Sequence, residues 1–126
     1  MCQYLYERSD GETKMIQQIL HLLYIQKEKT ITKESIDTVI KEIINSKDSS
    51  YKLLFDTLGN NQKIALKIVG IYKSGVFASS ILTQYNIKKQ TLQSSIDTLL
   101  KKELIDKEDD RYFIPDRTFE LWVEGL

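Results

Sequence analysis

Lys88-Lys89-Gln90-Thr91-Leu92-Gln93-Ser94-Ser95-Ile96-Asp97-Thr98-Leu99-Leu100-Lys101-Lys102-Glu103-Leu104-Ile105 is followed by residues 106–111 and then by Tyr112-Phe113-Ile114-Pro115-Asp116-Arg117-Thr118-Phe119-Glu120-Leu121-Trp122. The pattern of apolar residues changes along this stretch. Leu92, Ile96, Leu99 and Leu100 recur at i, i+4, i+7 and i+8, one apolar stripe on a helix. Leu104-Ile105 opens a short extended run. Lys107-Glu108-Asp109-Asp110 makes a polar turn, and Tyr112-Phe113-Ile114 favours a strand. Helix, strand, charged turn, strand is the second half of a winged helix. The pattern predicts a hairpin at about 103–107 and 111–115, closing a domain over 60–126.

Working back from this stretch, Asn86-Ile87 reads as the turn of a helix-turn-helix. Asn tolerates the left-handed conformation, and Ile87 pins the turn from inside. A brief helix over 79–85 precedes it, with Ile81, Leu82 and Tyr85 inward. Before that, 62–73 reads as a helix lined by Ala65, Leu66, Val69 and Tyr72, with Asn60 or Asn61 as its cap. Gly70 costs about 1 kcal/mol inside a helix, which points to a close helix crossing there. Gly59 reads as the positive-φ residue that ends the preceding helix, so the domain boundary is expected at Gly59-Asn60.

The segment 1–59 reads as helical. Residues 1–12 are ambiguous. Residues 13–27 place Ile16, Ile19, Leu20, Leu23 and Tyr24 on one face, with Leu22 and Ile25 widening it. Thr30-Ile31-Thr32 is an extended link, and Thr32 caps a helix carrying Ile36, Val39, Ile40 and Ile43. A third helix over 51–58 has Leu54, Phe55 and Leu58 as its apolar residues. The fold class is therefore mainly α with a small β-hairpin: a helical N-terminal segment, then a winged helix-turn-helix domain.

The composition narrows the function. Net charge is zero, from 18 basic and 18 acidic residues, which argues against a strongly electrostatic nucleic-acid binder. Cys2 is the only cysteine and His21 the only histidine, so an internal disulfide is excluded and a zinc site is not expected. Without partners, His21 reads as an ordinary surface histidine. With no secretory signal and no membrane-length apolar run, the expected compartment is the cytoplasm, with no membrane partner. Gly70-Ile71-Tyr72-Lys73-Ser74-Gly75 has the glycine spacing of a phosphate loop. Val76-Phe77 stand where its lysine and hydroxyl belong. No catalytic pair or triad motif occurs. The expectation is a non-enzyme with no catalytic residue, cofactor or metal.

Asn61-Gln62 before an apolar helix, Phe77 to Tyr85 with Asn86-Ile87, Leu92 to Ile105, and above all Tyr112 to Trp122 resemble the C-terminal region of the archaeal-type AAA P-loop ATPase family. In that family a winged helix follows the nucleotide-binding core and its helical lid, and residues 13–58 resemble the lid more loosely. The resemblance implies a docking or regulatory module that contacts the ATPase core or another protein. The core itself is not in this sequence, so no Walker residue is carried over. The chain is then either the C-terminal part of a longer ATPase or a reduced stand-alone form. Pro115-Asp116 also reverses the family's usual Asp-Pro order.

The alternative is a stand-alone DNA-binding regulator. A winged helix places its third helix in the major groove and its wing on the backbone. The candidate nucleic-acid contacts are Lys88, Lys89, Gln90, Thr91, Gln93, Ser94 and Arg111: lysines and Arg111 for phosphates, glutamines for adenine edges. Against this, Glu103, Asp106, Glu108, Asp109 and Asp110 surround Lys107 in the wing, and carboxylates near phosphates oppose binding. DNA binding is therefore expected to be weak. Self-association through the apolar faces of residues 16–44 is a third expectation. Phe119 and Trp122 share one face of a final helix, and no further aromatic flanks Trp122 in sequence, so it reads as a core anchor rather than a ligand-stacking residue.

Overall fold

The computed structural model describes residues 2–26 and 31–126. These form α1 (Cys2–Ser9), α2 (Thr13–Ile25), α3 (Lys33–Ser46), α4 (Asp48–Asp56), α5 (Asn60–Tyr72), α6 (Ser79–Gln84), α7 (Lys89–Lys101), β1 (Asp106–Glu108), β2 (Arg111–Phe113) and α8 (Arg117–Glu124). The chain divides into two compact units, 1–49 and 50–126.

In the first unit, the ambiguous opening is helical. Tyr4 donates its hydroxyl to Asp37 Oδ1, and Arg8 Nε lies 3.3 Å from the same oxygen, so α1 is tied to α3. The core is Leu5, Met15, Ile19, Leu23, Ile36, Val39, Ile40 and Ile43. Thr32 caps α3 as expected: its Oγ1 accepts from Ser35 N–H at 3.1 Å, and Ser35 Oγ accepts from Thr32 N–H at 2.9 Å. Thr30 and Lys27 of the sequence expectation lie outside the described residues. The buried face of α2 differs from the expected stripe. Met15, Ile19 and Leu23 point inward at i, i+4, i+8, while Leu20 and Tyr24 are exposed. Apolar residues surround most of α2, so periodicity alone does not select the face that is covered.

In the second unit, α5 packs against both α7 and α8. Leu66, Ile68, Val69, Leu92, Ile96 and Leu99 are fully buried between these elements. A Cβ on Gly70 would sit 3.0 Å from Val123 Cγ1 and 3.4 Å from Ile114 Cδ1. The close crossing expected there is the approach of α8. Asn86 has φ +50, and Ile87 N–H donates to Leu82 O at 3.0 Å, which closes the turn between α6 and α7. β1 and β2 pair antiparallel with Asp106 opposite Phe113, Lys107 opposite Tyr112 and Glu108 opposite Arg111. Asp109 takes φ +55 in the two-residue connection, as a tight hairpin requires.

Two expectations are corrected. Gly59 does not end α4 with positive φ. Its φ is −68 and its ψ 162, and it is the N-cap of α5, with its N–H donating to Gln62 Oε1 at 3.4 Å. α4 ends earlier, at Asp56. The domain break falls between Ser49 and Ser50 rather than at Gly59-Asn60. The physical reason is aromatic: Tyr51 on α4 lies 4.9 Å from Phe119 and 5.7 Å from Trp122, and Phe55 lies 5.7 Å from Trp122. Three rings of the second unit therefore surround Trp122, although only one is near it in sequence. Trp122 and Phe119 are both buried, as a core anchor should be. The Pro115-Asp116 order leaves the helix start intact: Asp116 caps α8, its Oδ1 accepting from Phe119 N–H at 3.2 Å.

Candidate nucleic-acid and protein interface

The outer face of α7 follows from its inner one. Leu92, Ile96 and Leu99 are buried, so the residues between them turn outward. Lys88 is the N-cap, extended at φ −78 and ψ 148, and its side chain makes no cap hydrogen bond. Lys88, Lys89, Gln90 and Ser94 are exposed, while Thr91 and Gln93 are half-buried. Lys89, Gln90, Gln93, Ser94 and Asp97 line one shallow hollow. Four of the expected contact residues are thus neighbours on the first turns of α7, with Lys88 just ahead of them at the N-cap and Thr91 at the edge of the buried side. Arg111 lies apart, exposed on β2 opposite Glu108.

Hydrogen bonding restricts one of these side chains and engages the backbone of another. Gln93 Nε2 donates to Asp97 Oδ1 at 3.0 Å, so this amide is held along the helix by a carboxylate. Asp97 brings a negative charge into the middle of the face. Thr91 contributes its carbonyl, which accepts from Ser95 Oγ at 2.8 Å.

The wing has two unlike faces. Opposite residues in an antiparallel pair share a face, so Lys107 sits with Tyr112, while Asp106 and Glu108 sit with Phe113 and Arg111. Lys107 Nζ lies 5.4 Å from the Tyr112 ring centroid. Tyr112 meets Phe77 edge-to-face at 6.4 Å, and Lys89 Nζ lies 6.0 Å from the Phe77 ring. Lys89 and Lys107 therefore flank one aromatic pair. Lys107 was absent from the contacts expected from sequence. The signal was there in the alternation of the strand, which separates Lys107 from its acidic neighbours. Glu108, Asp109 and Asp110 at the tip are all exposed.

With helix, helix-turn-helix and hairpin in place, comparison with known families is decisive at the level of fold. A family model described as a probable winged helix domain matches residues 49–125. The chain belongs to this winged helix family. The match starts at Ser49, in the first turn of α4, so the family's own extent includes the helix that supplies Tyr51 and Phe55. Comparisons with curated proteins and with solved structures give no match. Among the described residues, no three His, Cys, Asp or Glu side chains group as a metal site, and no helix is long and apolar enough to cross a membrane.

Proposed function

We propose that this winged helix is a non-catalytic docking module, of the kind that follows the core of an archaeal-type P-loop ATPase, and that its partner is that core or another protein. The observation that carries this reading is the charge on the face that DNA would meet. The wing tip presents Glu108, Asp109 and Asp110 to solvent, and Asp97 interrupts the outer face of α7 while holding Gln93. Each carboxylate near a phosphate opposes the counterion release that drives DNA binding. A protein surface with lysines and arginines meets no such penalty.

A second reading has its own observation. Lys88, Lys89 and Gln90 are exposed at the start of α7, where a winged helix reads base edges, and Lys107 lies near the same aromatic pair as Lys89. That set suits a DNA-binding regulator with a small number of phosphate contacts.

Two measurements separate the readings. Fluorescence anisotropy with random-sequence duplex at about 150 mM salt should show no sub-micromolar binding. Calorimetric titration into the isolated nucleotide-binding core of an ATPase of that family should show binding that Asp109→Lys/Asp110→Lys abolishes. Sub-micromolar DNA affinity that falls steeply with salt and is lost in Lys88→Ala/Lys89→Ala, together with no binding to the core, would establish the regulator instead. Under the docking reading the chain alone binds no ATP.

A further inference from the structure

Two costly features coincide at the joint between α5 and α6. Lys73, the C-cap of α5, has φ +61 and ψ −33, and Ser74 N–H donates across it to Tyr72 O. This is a γ-turn of the positive-φ form, a strained conformation for any residue with a side chain. The Lys73 ammonium lies 3.6 Å from Glu120 Oε2 and 3.4 Å from Glu124 Oε1, both on α8. Glu120 is among the buried residues of the second unit, with 5% of its side chain exposed, and Arg117 also pairs with it. A buried carboxylate depends on such cations. Lys73 is therefore strained in its backbone while its side chain shares with Arg117 the neutralisation of a buried charge on another helix.

The rest of α8 holds α4. Phe119 and Trp122 meet Tyr51 and Phe55 on α4, and Val123 occupies the space that Gly70 leaves on α5. The α5–α7 contact has its own fully buried residues, Leu66, Leu92, Ile96 and Leu99, which owe nothing to Lys73.

We propose that Lys73 is a latch. Closed, it fastens α8 to the end of α5, and through α8 it fastens the aromatic face of α4. Open, the γ-turn relaxes, and α8 and α4 loosen together while the helix-turn-helix stays folded. Lys73-Ser74-Gly75 runs directly into the link to α6, so relaxation of this turn is felt at the start of the helix-turn-helix. The Lys73 side chain is 40% exposed, which leaves the latch open to competition from salt or from a partner's carboxylates.

Hydrogen–deuterium exchange on the full chain tests this, with Lys73→Met to remove the charge but keep the stem, and Glu124→Gln as a milder, half-exposed change. Both should accelerate exchange on the order of tenfold in segments 48–56 and 117–124 and leave 64–69 and 92–99 at parental rates, as a sub-global opening does. The single tryptophan, Trp122, should become more accessible to acrylamide quenching in both variants. Lys73→Arg should match the parent. Equal acceleration in all four segments would reduce Lys73 to a contributor to global stability and overturn the proposal. So would acceleration confined to 117–124, or unchanged exchange throughout.

Discussion

Gly70 sets how closely α8 approaches α5. Two terms of opposite sign decide what a methyl group there would do. Ala gains about 1 kcal/mol of helix propensity over Gly. Overpacking costs about 1–3 kcal/mol, and the 3.0 Å contact is with Val123, whose branched side chain is stiff in a helix and 1% exposed. Gly70→Ala should therefore destabilise by about 1 kcal/mol net in urea unfolding; a stabilised variant would mean that α8 shifts freely. Trp122 carries more. It is 7% exposed and ringed by Tyr51, Phe55 and Phe119. Trp122→Ala should cost about 3–5 kcal/mol, and a thermal melt that matched the parent would refute its role as anchor. The sequence made the close crossing at Gly70 legible but not its partner, because a helix glycine marks a near neighbour without saying which one.

At the scale of elements, α7 and the hairpin were legible because their apolar periods differ, and Asn86 was legible because few side chains tolerate its φ. The membership of α4 was not, since Tyr51 meets Phe119 across a long stretch of chain and such a contact leaves no local pattern. For the site, the cluster on α7 could be read from helical spacing, whereas Lys107 needed the hairpin register. One element pair also has a pH consequence. Tyr72 and Tyr85 join α5 to α6, edge-to-face at 6.3 Å, with the Tyr72 hydroxyl donating to Gln84 Oε1 at 3.0 Å. Burial first, and the neighbouring Tyr72 second, raise the pKa of Tyr85 above its ordinary value of 10.0. The fold thus favours the neutral phenol. Its contribution is fully present below the ordinary value and lost as the pH climbs through the raised one. Urea midpoints measured between about pH 9 and pH 11 should fall less in Tyr85→Phe than in the parent. Equal losses would show that burial of this ring does not matter to ionisation.

At the scale of the whole chain, the winged helix is a unit that starts before α5. A fragment spanning 50–126 keeps Tyr51, Phe55 and Leu58 and should melt cooperatively. A fragment spanning 60–126 loses all three and uncovers Phe119 and Trp122, so it should melt lower or without a sharp transition, and bind a hydrophobic dye. Equal melts would return the boundary to Gly59-Asn60. The two-sided hairpin carries a further consequence. Because side chains alternate strictly along β1, deletion of a single residue between Ile105 and Lys107 would exchange its two faces. Glu108 would then stand beside Tyr112, and Lys107 on the other side beside Phe113. The electrostatic sign of each side of the wing is thus a matter of register as well as of composition, and one codon gained or lost could invert it on an unchanged scaffold.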